Sequence, residues 1–75
     1  MQPNLLDARG LLCPMPVIKT QNAIRELAPG ERLQVLATDP GVLHDIPAWC
    51  RVNGHKFIGS NEQDREYHLL IEVCG

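Results

Sequence analysis

The chain has 75 residues, of which 44% are apolar and 21% charged, and its formal net charge is −2. These values indicate one globular domain over residues 1–75, with a modest core and no deep substrate cavity. The absence of a lysine or arginine block argues against direct nucleic-acid binding. No apolar run reaches the about 20 residues that cross a bilayer, and Met1-Gln2-Pro3-Asn4 lacks the features of a signal peptide.

The chain contains three cysteines, Cys13, Cys50 and Cys74. Their number is odd and no two have Cys-x-x-Cys spacing, so we do not expect a secreted disulfide framework. Free thiols in a reducing cytoplasm are the simpler interpretation. We expect Cys50 in the core beside Trp49, and Cys74 as an exposed bystander. The histidines have no spacing that suggests a zinc site, and we expect no cofactor.

The first part of the chain predicts a strand and a helix. Residues 5–8 favour a short strand, and Gly10 permits a turn after it. A helix is expected to begin at residue 13 or 14 and to end before Pro29-Gly30. Its inner face is predicted from residues that recur at helical spacing, namely Val17, Thr20, Ala23, Ile24, Leu27 and Ala28. Ile18 falls outside this stripe.

A second strand and a second helix follow. Residues 32–38 alternate in the way typical of a strand. Asp39 is a candidate N-cap for the next helix. Because Pro47 interrupts the helical pattern, we expect a turn at 42–44 and then a helix at 45–53.

Two further strands are predicted at 56–60 and 66–74, joined by a polar hairpin loop at 61–65. The order is therefore β-α-β-α-β-β. With right-handed crossovers it predicts an α/β two-layer sandwich, in which a four-stranded mixed sheet carries two helices on one face. The other face should stay open, and we expect it to carry Leu36, Ile58 and Leu70.

Cys13 is the strongest candidate for chemistry, because it stands at the expected start of the first helix, next to Pro14 and Pro16. The free N–H groups and partial positive charge of a helix N-terminus favour a thiolate, which is the reactive form of cysteine. We therefore expect a lowered thiol pKa. The two prolines should fix the turn, Gly10 should permit it, and Arg9 should assist electrostatically if the turn folds it back.

Three acidic residues are weaker candidates. Asp7 and Asp39 are placed to act near Cys13, but helix capping already accounts for Asp39. Capping accounts equally well for Asp45.

The segment Leu6–Pro16, with the sequence LDARGLLCPMP, resembles the Cys-Pro-x-Pro signature and lead-in of the TusA/SirA-type sulfur carrier family. The resemblance continues in Thr38–Gly41 and Asp45–Cys50 and covers nearly the whole chain. It implies a sandwich like the C-terminal domain of bacterial translation initiation factor three. It also implies that Cys13 accepts sulfane sulfur as a persulfide from a cysteine desulfurase or rhodanese-type donor and passes it to an acceptor protein.

The destinations of the sulfur in this family include tRNA thiolation, molybdenum cofactor assembly and sulfur oxidation, and the sequence does not select among them. Two alternatives stay open. In the first, the protein is a non-catalytic regulatory or interaction module in which Cys13 only orders the turn. In the second, it is a redox sensor that pairs Cys13 with Cys74, which requires Cα atoms within about 7 Å.

Overall fold

The computed structural model describes residues 4–74. Its elements are β1 (Asn4–Ala8), α1 (Met15–Arg25), β2 (Arg32–Ala37), α2 (Val42–Asn53), β3 (Lys56–Gln63) and β4 (Glu66–Glu72). The predicted order of elements is confirmed. The prediction that Met1-Gln2-Pro3-Asn4 lacks the features of a signal peptide concerns mainly residues outside the described range. Within that range, neither helix is long and apolar enough to span a membrane.

The four strands form one mixed sheet in the order β1-β2-β4-β3. β1 runs parallel to β2, with Leu6 opposite Val35, and β4 is antiparallel to both β2 and β3. Because parallel neighbours finish at the same end of a sheet, the chain leaves β1 and β2 at the same place. The segments that follow these two strands are therefore brought together.

One face of the sheet forms the core beneath both helices. The buried strand residues on this face are Ala8, Leu33, Val35, Ala37, Leu69 and Ile71. The buried helix residues are Pro16, Thr20 and Ile24 from α1 and Val42, Ile46 and Cys50 from α2. Removing this apolar surface from water is the main favourable contribution to folding. On the opposite face Leu36 and Leu70 are partly exposed and Ile58 is exposed, as predicted.

α1 ends earlier than predicted, at Arg25 rather than just before Pro29-Gly30. The N–H of Gly30 donates to the carbonyl of Val73, and the N–H of Val73 donates to the carbonyl of Glu31, both at 2.8 Å. These two bonds tie the chain to the segment after β4. Residues 26–31 therefore make the connection to β2 and do not extend the helix.

α2 is continuous from Val42 to Asn53, so the predicted turn at 42–44, separate from a helix at 45–53, is wrong. A proline at this position removes the hydrogen bond to the carbonyl of Leu43. Leu43 lies in the exposed first turn, where water can satisfy that carbonyl. The helix therefore tolerates the proline and starts earlier than predicted, which places Asp45 within its first turn.

β3 and β4 are joined by a tight turn instead of the predicted loop over 61–65, because β3 extends to Gln63. Asp64 and Arg65 have positive φ angles of 52° and 65°. Two such residues are typical of a type I′ turn, whose twist matches that of the flanking strands. Asp-Arg is not one of the dipeptides that signal this turn, which is why the sequence pattern predicted a longer loop.

Candidate functional site

Cys13 lies where the chain leaves β1, two residues before α1, and it is exposed. Its backbone N–H donates a hydrogen bond to Asp39 Oδ2 (2.8 Å), and its thiol donates to Asp45 Oδ2 (2.7 Å). Asp39 comes from the loop after β2, and Asp45 comes from the first turn of α2. Three separate parts of the chain therefore meet at this thiol.

Gly10 and the two prolines shape the turn that presents the thiol. Gly10 has a φ of 79°, which residues with a side chain rarely adopt, and its N–H donates to Thr38 Oγ1 (2.9 Å). Pro14 is the N-cap of α1, and Pro16 is buried in the first turn. The carbonyl of Pro16 accepts a hydrogen bond from the Thr20 hydroxyl (2.8 Å). The turn is thus held on both sides, and supporting roles for these residues stay a prediction.

The expected lowering of the Cys13 pKa is wrong. The hydrogen bond to Asp45 is the largest influence, and it raises the pKa of the Cys13 thiol above its ordinary value. Desolvation and the negative charges of Asp45 and Asp39 act in the same direction. At neutral pH the site therefore holds a protonated thiol whose proton points at a carboxylate.

The start of α1 does not offset these carboxylates, because its donors near the thiol are either used or missing. The N–H of Cys13 is bonded to Asp39, and the N–H of Met15 is bonded to the carbonyl of Leu12 (2.9 Å). Pro16 has no N–H to offer. Among residues 13–16, no backbone N–H is therefore free to stabilise a thiolate.

Asp39 connects Cys13 to α2 and is not the N-cap that we predicted, since the N-cap is Gly41. Its Oδ1 accepts from the N–H of Gly41 (3.1 Å), while its Oδ2 accepts from Cys13. These bonds lower the pKa of Asp39, so its carboxylate is charged at neutral pH. The position that a Cβ would take at Gly41 lies 3.6 Å from Asp39 Oδ1 and 3.7 Å from Asp45 Oδ2. The two carboxylates are therefore neighbours.

We expect the substitution Asp39→Ala to free the backbone amide of Cys13. Hydrogen exchange of that amide, followed by NMR, should become about tenfold faster or more, because its charged acceptor is lost. The control is Glu62→Ala, which removes an exposed carboxylate from β3 and should leave this exchange rate unchanged. Equal exchange rates in the two variants would contradict the bond between Asp39 and Cys13.

Arg9 pairs with two carboxylates, neither of which touches the thiol. Its Nε donates to Asp7 Oδ1 (2.9 Å), and its Nη1 donates to Glu66 Oε2 (3.1 Å). Of the described residues, only Asp45 and Asp39 shift the pKa of Cys13 through their charges. These contacts give no support to the electrostatic assistance predicted for Arg9.

The ion pair with Arg9 predicts an unusual titration of Asp7. Hydrogen bonds from Arg9 lower the pKa of Asp7 from 3.8 to about 2. A lowered folded-state pKa means that the pair adds stability above the ordinary value of 3.8, and that this stability is lost as the pH falls through about 2. NMR titration of the side-chain carboxyl carbons should show this midpoint, and Arg9→Gln should return it to the ordinary value. An ordinary midpoint in the unsubstituted protein would contradict the pair.

The other two cysteines lie as predicted. Cys50 is 1% exposed, and burial raises the pKa of its thiol to about 11. Cys74 is exposed, and its thiol donates to the carbonyl of Glu72 (3.7 Å), which lies two residues earlier in the sequence. Of the two exposed thiols, Cys13 is thus the one whose sulfur is bonded to a side chain distant in the sequence. Residues 4–74 contain no group of three or more His, Cys, Asp or Glu placed to hold a metal ion.

Cys13 and Cys74 lie at opposite ends of the sheet. Cys13 is bonded to Asp39, which follows the last residues of β2, whereas β4 ends level with Arg32, the first residue of β2. At about 3.3 Å per residue, β2 separates those ends by about 17 Å. A disulfide requires Cα atoms within about 7 Å. The redox-sensor alternative, with these two cysteines joined within one chain, is therefore wrong.

Exposed apolar side chains flank Cys13. Leu12 is 76% exposed, Met15 42% and Ile18 41%. Met15 and Ile18 are three residues apart on α1 and so point to the same side of the helix. The exposure of Ile18 agrees with its position outside the apolar stripe that packs on the core. We call these three residues the Cys13 rim.

Residues 4–73 match the family described as Sulfurtransferase TusA. Sulfur carrier protein TusA of Pseudomonas aeruginosa is 46% identical over 67 residues, which cover 89% of this chain and 85% of that protein. Putative sulfur carrier protein YrkF of Bacillus subtilis is 42% identical over 59 residues, and the chain spans only 32% of its length. The crystal structure of a SirA-like protein from Desulfitobacterium hafniense has a TM-score of 0.83 and 25% identity, with 95% of this chain and 97% of that chain covered. This likeness agrees with the predicted two-layer fold.

Proposed function

Because the chain belongs to the TusA family, we propose that it is a sulfur carrier in which Cys13 accepts a sulfane sulfur as a persulfide and passes it on. The observation that carries this proposal is the placement of Cys13. Its thiol is exposed and bonded to Asp45, and its backbone N–H is bonded to Asp39, so two other parts of the chain hold this residue. Cys50 is buried and unsuited to meet a partner.

The transfer moves one sulfur atom without net oxidation or reduction. Cys13 Sγ attacks the terminal sulfur of the donor persulfide, a new S–S bond forms, and the donor's own S–S bond breaks. The donor leaves as a thiol, having gained the proton that Cys13 gave up. The onward step repeats this exchange with an acceptor thiol as the attacking group, so the reaction needs no cofactor.

The partners that we propose are proteins. The donor is of the cysteine desulfurase or rhodanese type, and the acceptor is a protein thiol. The Cys13 rim supports this, because Leu12, Met15 and Ile18 offer apolar surface beside the exposed sulfur. The acceptor decides whether the sulfur enters tRNA thiolation, cofactor assembly or sulfur oxidation.

We place this exchange in the cytoplasm. All three cysteines are free, and a reducing compartment keeps thiols in this state. Direct nucleic-acid binding is not part of the proposal, because the net charge of −2 offers phosphate groups little attraction.

The test of the proposal is a loading reaction. Incubation with a cysteine desulfurase and cysteine should add one sulfur, a gain of about 32 Da in intact mass. A parallel reaction without cysteine is the control and should show no gain. An unchanged mass with several desulfurases and rhodanese-type donors would contradict a carrier function.

One observation favours the alternative in which Cys13 only orders the turn. The hydrogen bond from its thiol to Asp45 is a structural contact in its own right. Slow alkylation at neutral pH does not separate the two functions, because the raised pKa of Cys13 slows alkylation in either case. Sulfur loading does separate them, since a purely structural thiol gains no mass.

A further inference from the structure

We propose that Asp45 is a positioning residue that favours the sulfur-free form of Cys13 over the loaded form, and so promotes release of the sulfur to the next protein. This inference rests on the proposed function. It starts from the hydrogen bond that the Cys13 thiol donates to Asp45 Oδ2 at 2.7 Å. Asp45 is only partly exposed and lies in the first turn of α2, so the helix fixes the backbone position from which its carboxylate reaches Cys13.

The bond to Asp45 exists only while Cys13 Sγ carries a proton. In the persulfide, Sγ is bonded to the second sulfur and has no proton to donate. The terminal sulfur of the persulfide that the loading step forms is ionised, so neither sulfur can donate and Asp45 loses a charge-assisted hydrogen bond, which is among the stronger kinds in proteins. The same carboxylate also repels the ionised sulfur. Both effects raise the free energy of the loaded form relative to the sulfur-free form.

Asp39 does not act in the same way, because it binds the backbone N–H of Cys13 rather than the sulfur. That bond can persist in both forms. Among the described residues, only Asp45 and Asp39 carry charges that shift the pKa of Cys13. Arg9 is paired with Asp7 and Glu66, and the charge of Lys19 acts on the pKa of Asp7. The field at the sulfur is therefore set by the two carboxylates.

The loading step is balanced when Asp45 is the first acceptor of the Cys13 thiol proton. A sulfur-free thiol and an anionic donor persulfide become an anionic Cys13 persulfide and a donor thiol. The bond between Cys13 Sγ and the transferred sulfur forms as the donor S–S bond breaks, and the thiol proton passes through Asp45 Oδ2 to the departing donor sulfur. No charge is lost and no oxidant is needed.

The test compares Asp45→Asn with Glu26→Gln in a Cys74→Ser background. Each change keeps the side chain's size and removes one negative charge. Glu26 is exposed beyond the far end of α1, about 16 Å along the helix axis from its first residue. Each protein is equilibrated with a fixed mixture of glutathione and glutathione persulfide at about pH 7.5, below the ordinary thiol pKa of about 8.5, and the loaded fraction is measured by intact mass.

We expect the ratio of loaded to free protein to rise about tenfold in Asp45→Asn, as the loss of a charge-assisted bond implies. It should stay within about twofold in Glu26→Gln. Asp45→Glu restores the charge and should bring the ratio back towards that of the unsubstituted protein. Equal ratios in Asp45→Asn and Glu26→Gln would overturn the inference, as would a lower ratio in Asp45→Asn.

A second measurement separates this inference from the proposed function. The pH dependence of iodoacetamide alkylation at sulfur-free Cys13 should shift to lower pH in Asp45→Asn and not in Glu26→Gln, which reports the thiol–carboxylate bond without any sulfur transfer. If no variant loads but this shift occurs, the carrier function fails and the inference about release fails with it. If all variants load equally and no shift occurs, the carrier function stands and only the inference about Asp45 fails.

Discussion

Replacing Cys13 with serine should abolish sulfur loading and leave the fold intact. Serine is nearly the same size, the position is exposed, and its hydroxyl can donate to Asp45 as the thiol does. A hydroxyl cannot form a persulfide, however, so the mass gain of about 32 Da should vanish. The melting temperature should change little, as is usual for exposed positions. Intact-mass spectrometry and circular dichroism measure the two results.

Matched controls for this prediction are the other two cysteines. Cys74→Ser removes an exposed thiol and Cys50→Ala a buried one, and both variants should still load. Loading that persists in Cys13→Ser and disappears in Cys74→Ser would move the acceptor thiol to Cys74. That result would contradict the site proposed above.

The substitution Ile46→Ala should cause a large loss of stability. Ile46 is fully buried in α2, and truncating such a side chain costs about 2–5 kcal/mol through lost burial and the cavity that remains. A domain of this length has a total free energy of unfolding of about 4–11 kcal/mol. We therefore expect the melting temperature to fall by about 10 °C or more. Denaturant unfolding followed by circular dichroism measures the change.

The control for Ile46→Ala lies on the same helix. Val52 is 83% exposed, so Val52→Ala should change the free energy of unfolding by no more than about 0.5 kcal/mol. Since α2 also carries Asp45, loosening the helix in Ile46→Ala should speed alkylation of Cys13. Equal stability losses at the two positions would contradict the packing of α2 on the sheet.

The elements with clear burial patterns could be predicted from the sequence. β2 alternates between buried and partly exposed residues, and the amino-acid sequence shows the same alternation of apolar and polar residues over most of the strand. The ends of the helices were less predictable. Gly30 pairs with Val73, far away in the chain, so the early end of α1 depends on a tertiary contact. The continuity of α2 through Pro47 depends on solvent access to its first turn.

The site was predicted in part. The sequence singled out Cys13 as the candidate, but its local context, a helix start, predicted a lowered pKa. The opposite shift comes from Asp45, 32 residues away in sequence. The contact of Asp39 and Asp45 with Cys13 could have been predicted from the topology of the sheet. If β1 and β2 are parallel neighbours, the residues after them meet, which brings Asp39 and the first turn of α2 to Cys13. That argument requires the strand order.

The raised pKa changes how the proposed carrier works. A protonated Cys13 is a poor nucleophile towards small electrophiles, so the sulfur-free protein should react slowly outside a complex with its partners. A donor that removes the proton or shields the two carboxylates would raise the reactivity. On this account the selectivity of loading lies in the encounter with a protein, and the Cys13 rim is the surface that such a protein would meet.

The most direct test of the central claim is to locate the sulfur. Trypsin cleaves after Lys and Arg and separates the three cysteines onto peptides 10–19, 33–51 and 66–75. The unsubstituted protein is loaded from radiolabelled cysteine by a desulfurase, freed from the donor, alkylated and digested without reductant. We predict that the labelled sulfur is on peptide 10–19 and is released by an added thiol. Label on peptide 66–75 or 33–51, with none on peptide 10–19, would contradict the assignment of Cys13 as the sulfur-carrying residue.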